Sequence, residues 1–415
     1  MATNSGGRAA RMRPVTEGSK VTQLELFFDL VFVYALTQVT ALMAGDATAR
    51  GLFRGLLVLA LLWWCWCCYA WLGNTVRADE GVTRIALFAV LAAMFVVAVT
   101  IPEAFTDLLG GLSGPVVFAS CYLIVRTLHL VIYWYAAAGD AGLRRQLLKA
   151  AIPMAAGSVG LFAAALLPQH IYTQQGDIEF ARTALWCLAL VVDYLGVMLT
   201  GAEGWRIFSA AHWAERHGLI IIIALGESIV SIGVGVTLLP ISWPIVVAAT
   251  MGVAVSAMLW WLYFDVVAIA AERVLHRAEG AARAALGRDS YTYLHLPMVA
   301  GIILLSLGLK KVLAYVGDAE HHDLGDPLHG IGLYALYGGV ILYLLGHLGF
   351  RLRNMRSVNV PRLITVVLLA ALLPVAALVP AMAALAILTV VCVGLVVVEV
   401  VLFREARLAL RAADH

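Results

Sequence analysis

Stretches of about twenty apolar residues recur from one end of this 415-residue chain to the other. A helix of that length, rising about 1.5 Å per residue, crosses roughly 30 Å of hydrocarbon. Hydrophobic residues make up 62% of the chain and charged residues 13%, whereas about one quarter of a soluble domain is charged. Backbone polar groups in lipid must be satisfied within the segment, which favours helices. The sequence therefore predicts an all-α, polytopic membrane protein.

These apolar segments predict about twelve transmembrane helices. Their expected ranges are 23–43, 52–73, 84–101, 115–138, 147–167, 182–202, 217–239, 243–268, 292–315, 329–351, 361–379 and 381–403. The pairs Trp63-Trp64 and Trp260-Trp261 lie about two hundred residues apart, which favours two parallel repeats of six helices. We therefore expect a basic cytosolic tail, two six-helix halves and a second cytosolic tail, at 1–22, 23–203, 204–403 and 404–415.

Basic residues mark every second loop, and such residues accumulate on the cytoplasmic side of a membrane. The basic loops contain Arg77 and Arg84; Arg144, Arg145 and Lys149; Arg206 and Arg216; Arg273, Arg277, Arg283 and Arg288; Arg351, Arg353, Arg356 and Arg362. Both termini are therefore predicted to be cytoplasmic, and the N-terminal segment, which lacks an apolar core with a cleavage site, is predicted to be retained. The net charge of +2 indicates contact with anionic membrane lipids and not with nucleic acid.

Two carboxylates, Glu25 and Asp29, stand one helical turn apart in the apolar segment TQLELFFDLVFVYALTQ. A helix face exposed to lipid does not tolerate them, so both are expected to face a polar interior. Two like charges at this spacing disfavour joint ionisation. We therefore expect Arg216, another base or a bound cation between them.

Other ionisable residues stand near the middle of predicted spans, where an unpaired charge is costly. Arg126 lies in the fourth span with His129 almost one turn away, Asp193 lies in the sixth, and Glu227 lies in the seventh. Asp193 or Glu227 is expected to neutralise Arg126. One interpretation of these residues is a structural ion-pair network. The other is a proton relay, an ion relay or a substrate site, because the acids outnumber the bases.

The seventh span carries Glu227, Ser231 and Gly235 at four-residue intervals. A stripe of small and polar residues lets a neighbouring backbone approach closely, and Glu227 is the residue that we expect to carry function. Further candidates stand at the predicted inner ends of the spans: His212, Glu215, Arg216, Asp265 and His295. The spacing of His212 and Glu215 permits metal ligation, but a helix cap and ion pairs explain it better. Neither a metal nor another cofactor is expected.

The segment WWCWCCYAWLG places Trp63 and Trp64 deeper than an interfacial aromatic belt requires. The two residues serve either as packing residues or as an aromatic wall around a cationic or flat apolar ligand. All six cysteines of the chain fall within predicted spans, so no disulfide framework is expected.

Four blocks of the sequence resemble the bacterial low temperature requirement A family. They are LELFFDLVFVYALTQ at 24–38, HWAERHGLIIIIALGESIV at 212–230, WWLYFD at 260–265 and YLHLPMVAGIILLSLGLK at 293–310. The resemblance implies a multi-pass protein of the bacterial cytoplasmic membrane, and the family name records a requirement for growth in the cold. By motif position, the polar signature of the family maps onto Glu25, Asp29, His212, Glu215, Arg216, Glu227, Asp265 and His295.

Two classes of function fit these features. The first is a proton- or ion-coupled transporter of a small solute, with its site among the first, fourth, sixth and seventh spans. The second is a membrane-embedded enzyme that uses buried acids on a lipid or isoprenoid substrate. The sequence contains neither a nucleotide-binding glycine motif nor a covalent-nucleophile signature, so an enzyme of this class would work within the bilayer.

The charge of the loops predicts which segments of the chain are accessible from each side of the membrane. A cysteine placed at Asp323 should react with a membrane-impermeant thiol reagent added from the periplasmic side, whereas one placed at Ser5 should not. The opposite labelling pattern would overturn the predicted topology.

Overall fold

A computed structural model describes residues 14–408 except 78, 80, 109, 238, 319 and 406. Much of the two predicted tails, including residues 1–13 and 409–415, lies outside the described residues. The described chain is helical throughout and contains no strand, only two isolated β-bridges. The predicted all-α, membrane-type architecture is therefore confirmed.

The helices follow one another along the chain with short connections. They are α1 Gln23–Gly45, α2 Ala49–Gly73, α3 Gly81–Val99, α4 Gly114–Ala136, α5 Ala141–Leu166, α6 Pro168–Ile171, α7 Gln175–Leu199, α8 Ala210–Gly235, α9 Trp243–Phe264, α10 Val267–Arg277, α11 Gly280–Leu286, α12 His295–Gly317, α13 Ile331–Met355, α14 Val360–Ala376 and α15 Ala381–Leu402. A 3₁₀ turn at Ile101–Glu103 follows α3, and a π-helix at Gly287–Tyr293 precedes α12.

Ten segments of the described chain are long and apolar enough to cross a membrane. The predicted spans 84–101 and 361–379 correspond to shorter apolar helices, α3 and α14. The α14 helix has 17 residues and contains Pro374. The structure therefore supports a multi-pass protein but does not confirm the count of twelve.

The described chain divides into two compact units. The first contains the residues up to Val39, Leu56–Arg216 and Glu279–Ala285, and the second contains Thr40–Gly55, His217–Ala278 and the residues from Leu286 onward. Helices α1, α2 and α8 each contribute residues to both units. The division into sequential halves at 23–203 and 204–403, and their parallel repeat, remain predictions.

In the first unit, α5 and α7 pack closely because small residues face each other. A Cβ atom added to Gly157 would lie 3.1 Å from the carbonyl oxygen of Ala189 and 3.4 Å from the Cβ of Asp193. Pro153 of α5 sits against Gly196 of α7 in the same way. This contact fixes Asp193 at the interface of the two helices, inside the unit.

In the second unit, glycines spaced seven residues apart bring α12 and α13 into backbone contact. A Cβ atom on Gly301 would lie 2.5 Å from the carbonyl oxygen of Gly339, and one on Gly308 would lie 2.5 Å from the Cα of Leu336. Gly346 lies on the same face of α13, and a Cβ atom there would lie 3.0 Å from the backbone nitrogen of Met298. Such small-residue interfaces hold membrane helices together by close packing, since lipid offers no hydrophobic drive between helices.

Replacing one of these glycines by alanine tests whether the contact stabilises the unit. A Cβ on Gly339 would lie 2.5 Å from the Leu305 backbone nitrogen, so Gly339→Ala forces the two helices apart. We expect a loss of about 1–3 kcal/mol in the free energy of unfolding, measured as a lower melting temperature of the purified protein. Gly338→Ala is the matched control, because a Cβ there meets nothing within 4 Å. Equal melting temperatures of the two variants would contradict the contact.

Candidate functional site

A capping box formed by Thr22 and Glu25 begins α1. The backbone N–H and hydroxyl group of Thr22 donate to Oε2 of Glu25 at 2.8 and 3.0 Å, and the N–H of Glu25 donates to Oγ1 of Thr22 at 3.3 Å. Such reciprocal bonds satisfy donors at a helix N-terminus. Gly73 at the end of α2 leaves room for the carboxylate, because a Cβ there would collide with Oε1 of Glu25. The buried carboxylate therefore has one defined position.

His212, in the first turn of α8, contacts this carboxylate: its Nε2 lies 3.0 and 3.2 Å from the two oxygens of Glu25. Its Nδ1 lies 3.2 Å from Nδ2 of Asn74. The Oδ1 of Asn74 accepts the backbone N–H groups of Phe208 and Ser209 at 2.7 and 3.2 Å, which fixes the orientation of the amide. The amide N–H of Asn74 therefore donates to Nδ1, and the proton of the neutral imidazole must be on Nε2. His212 is thus a neutral donor to Glu25.

Arg216, one turn further along α8, neutralises Asp29. Its Nη1 and Nη2 donate to the two carboxylate oxygens of Asp29 at 2.7 and 3.0 Å. The indole N–H of Trp66 on α2 also donates to Asp29, at 3.0 Å, and its ring faces the guanidinium at 5.4 Å. Arg216 further donates to the backbone carbonyl of Glu25. The expected base between the two acids is confirmed, and we name Glu25, Asp29, His212 and Arg216 the α1–α8 cluster.

Two cavities in the first unit border the α1–α8 cluster. The larger, about 900 Å³, has Glu25 and His212 in its wall and is also lined by charged and aromatic side chains. These are Lys20, Arg77, Asp79, Arg84, Phe27 and Phe88. The smaller cavity, about 20 Å³, is lined by Glu25, Arg216, Tyr69 and Thr83, and its volume is near that required by one water molecule. The cluster is buried, but the larger cavity gives access to its edge.

A second charged pair lies further into the first unit, between α4 and α7. The Nη2 of Arg126 donates to Oδ1 of Asp193 at 3.2 Å, and the hydroxyl group of Tyr122 donates to the other oxygen at 3.1 Å. Both charged side chains are 4% exposed. The prediction that a buried acid neutralises Arg126 is confirmed, and that acid is Asp193. His129 lies one turn along α4, with its ring edge-on to Tyr69 at 5.5 Å.

Glu227 lies in the second unit and is fully buried. Ser231 donates to Oε1 of Glu227 at 2.8 Å, and Lys310 on α12 is near enough to interact with it electrostatically. A Cβ on Gly235 would lie 3.0 Å from the carbonyl oxygen of Lys310, so the stripe of small residues on α8 does receive a neighbouring backbone. The functional role of Glu227 and Ser231 remains a prediction.

The other inner-end candidates do not join the α1–α8 cluster directly. Glu215 is exposed and accepts the backbone N–H of Val21 at 3.0 Å. In the second unit, Asp265 pairs with Arg407 at 2.7 Å. His295 accepts the hydroxyl group of Tyr263 at 2.9 Å and donates from Nδ1 to a backbone carbonyl of the π-helix.

Trp63 and Trp64 are buried against other rings of the first unit. Trp63 stacks on Trp66 with centroids 5.1 Å apart, and Trp64 stacks on Tyr194 at 4.2 Å. Their role as an aromatic wall remains a prediction. Among the described residues, no three histidine, cysteine, aspartate or glutamate side chains converge as metal ligands would.

Three residues of the site were absent from the sequence-based set: Thr22, Trp66 and Asn74. The pattern TQLE, a capping box, carries the signal for Thr22. Trp66 belongs to an aromatic stretch in which no pattern singles it out, and Asn74 resembles an ordinary polar helix end. Only the contacts in the folded structure identify Trp66 and Asn74 as site residues.

Comparisons with known proteins identify a family for this chain. The sequence model described as bacterial low temperature requirement A protein (LtrA) matches residues 20–397. An uncharacterized protein of Rhizobium meliloti (strain 1021) is 29% identical over 347 residues, covering 80% of this chain and 77% of that protein. No solved structure matches the chain.

The Arg126–Asp193 pair predicts a stability pattern for charge-removing variants. Arg126→Leu leaves Asp193 charged and uncompensated, which should cost about 3–5 kcal/mol of unfolding free energy. The double variant with Asp193→Asn should recover most of that loss in melting temperature.

Arg206→Leu provides the control for this experiment. Arg206 pairs with Asp140 at 3.1 Å, but its side chain is 59% exposed, so its removal should cost less than about 1 kcal/mol. A double variant no more stable than Arg126→Leu would refute the pairing energy assigned to Asp193.

Proposed function

The chain belongs to the bacterial low temperature requirement A family, and we propose that it is a proton-coupled transporter of a small solute in which the α1–α8 cluster binds the proton. The observation that carries this proposal is the position of His212, with one ring nitrogen on Glu25 and the other on Asn74, at the wall of a cavity. A membrane protein retains buried ionisable groups of this kind at ion and substrate pathways.

The charges of the cluster leave room for one proton. Glu25 and Asp29 carry two negative charges, and Arg216 carries one positive charge when His212 is neutral. One proton on His212 brings the sum to zero. Arg216 is committed to Asp29 by two hydrogen bonds, so we assign the proton to His212, beside Glu25. A single proton thus changes the charge of the cluster from −1 to 0.

Protonation of His212 also has a mechanical consequence. The second proton must sit on Nδ1, which in the neutral ring accepts the amide N–H of Asn74. Two donors then face each other, and the contact is lost. Asn74 ties the end of α2 to the start of α8 through Phe208 and Ser209. Proton binding therefore loosens a junction between helices, which is what coupling to solute movement requires.

One observation favours the alternative, a membrane enzyme that acts on a lipid. Phe27 and Phe88, which border the large cavity, are 49% and 46% exposed on the apolar helices α1 and α3. An acyl chain can lie against these rings while a polar headgroup reaches Glu25 and His212. The same pair would then act as a general acid–base group.

His212→Gln tests the proton-coupled function, because an amide can donate to Glu25 but cannot titrate. Proteoliposomes that contain a trapped pH indicator are exposed to a panel of solutes. We expect at least one solute to move protons through the wild-type protein and this flux to fall at least about tenfold in His212→Gln. Glu227→Gln is measured beside it, since Glu227 is the other predicted titrating group.

His170→Gln is the matched control, because His170 is exposed and the substitution makes the same chemical change outside the cluster. It should retain the wild-type flux. Wild-type flux in His212→Gln would refute the assignment of the proton to this cluster. Release of a product from lipid without any solute movement would favour the enzyme.

A further inference from the structure

Two side chains of α4 hold polar atoms that find no hydrogen-bond partner among the described residues. Arg126 uses Nη2 on Asp193, whereas its Nε and Nη1 are buried and unpartnered. The Nε2 of His129 is also buried and has no hydrogen-bond partner. Both residues are 4% exposed. A buried polar atom without a partner costs about 1–3 kcal/mol, so a ligand that satisfied several of them in one place would be stabilised there.

The two side chains converge on one place in the first unit. Arg126 and His129 are three residues apart and therefore share a face of α4. Both lie close to Cys68 of α2: His129 hydrogen-bonds the Cys68 backbone, and the Arg126 guanidinium lies near the thiols of Cys65 and Cys68. The neighbouring α2 side chains are thus small and polarizable at this point.

The chemistry of the free atoms defines what they would bind. Arg126 offers N–H donors, which favour an oxyanion such as a carboxylate or a phosphate. His129 donates to the Cys68 carbonyl from its other nitrogen, so Nε2 of the neutral ring is an acceptor and favours a hydroxyl group. A small oxyanion that also carries a hydroxyl group satisfies both residues.

We propose that the unpartnered N–H groups of Arg126 and the Nε2 of His129 bind a small hydroxyl-bearing oxyanion and that Asp193 takes up a proton when this anion binds beside it. The proposal rests on the proposed transport function and names its substrate class. Before binding, Arg126 and Asp193 sum to zero charge. Afterwards Arg126, the anion and the protonated Asp193 sum to zero again, so one anion and one proton enter together.

The site predicts a definite dependence on pH. Because one proton binds with each anion, the affinity for the anion should rise about tenfold for each unit by which the pH falls. This dependence holds over the pH range in which Asp193 takes up the proton on binding. Asp193 has Gly157 of α5 on one side and Tyr122 on the other. The titratable or charged groups around the site are Cys65, Cys68, Tyr69, Tyr122, Arg126 and His129.

Equilibrium binding to the purified full-length protein tests the proposal. The probes are glycolate, acetate and inorganic phosphate, measured by calorimetry in buffers of different ionisation enthalpy. Glycolate and phosphate, which carry a hydroxyl group, should bind, and acetate should bind at least about tenfold more weakly. The preferred probe, carboxylate or phosphate, identifies the source of the oxyanion. Binding should take up one proton.

Three variants separate the roles of the residues. Asp193→Asn mimics the protonated acid and should bind the anion without proton uptake or pH dependence. His129→Gln should reduce the preference for glycolate over acetate while the pH dependence remains. The double variant Arg126→Gln with Asp193→Asn carries no charge at this site, so it should melt like the wild type yet bind none of the probes.

Absence of binding by all three anions would overturn the proposal, as would equal binding by the double variant or loss of binding in Asp193→Asn protein that still shows a cooperative melting transition. The transport function can fail separately. Binding of glycolate without solute movement in proteoliposomes would leave this site standing and remove the transporter. Proton-coupled movement of only a cation or a neutral solute would support the transporter and refute the anion site.

Discussion

The bidentate pair between Arg216 and Asp29 is the interaction on which the first unit depends. Asp29 is 1% exposed on a helix that is otherwise apolar, and a lone carboxylate there would be strongly destabilising. The guanidinium on α8 and the indole of Trp66 on α2 supply the hydrogen bonds that replace water. Removing the arginine would therefore be more damaging than removing the pair, since it would strand a buried charge.

Around this fixed pair, His212 and Glu25 are the adaptable part of the cluster. Glu25 is held by the capping box, so its position follows from the start of α1. His212 has one nitrogen on Glu25 and the other on Asn74, and a change of protonation must break one of these contacts. The Arg216–Asp29 pair and the His212–Glu25 contact share helices α1 and α8, so a charge change at His212 would act on the packing of both helices.

Much of the architecture follows from sequence because lipid permits few folds. Apolar length gives ten of the expected spans, and the depth of Arg126 required a buried acid, which the structure identifies as Asp193. Helices α3 and α14 are less well specified, because their apolar stretches are short. The partners Trp66 and Asn74 could not be predicted, since their roles arise from contacts between distant segments.

The tautomer and protonation of His212 are the most direct test of the central claim that the α1–α8 cluster binds a proton. Nitrogen NMR of histidine-labelled protein in lipid, with the His212 signal assigned by its loss in His212→Gln, reports both properties. We expect a neutral ring protonated on Nε2 at alkaline pH and a second proton on Nδ1 as the pH falls through the range of proton-coupled activity. A ring protonated on Nδ1 alone, or one that stays neutral across that range, would contradict proton binding by the cluster.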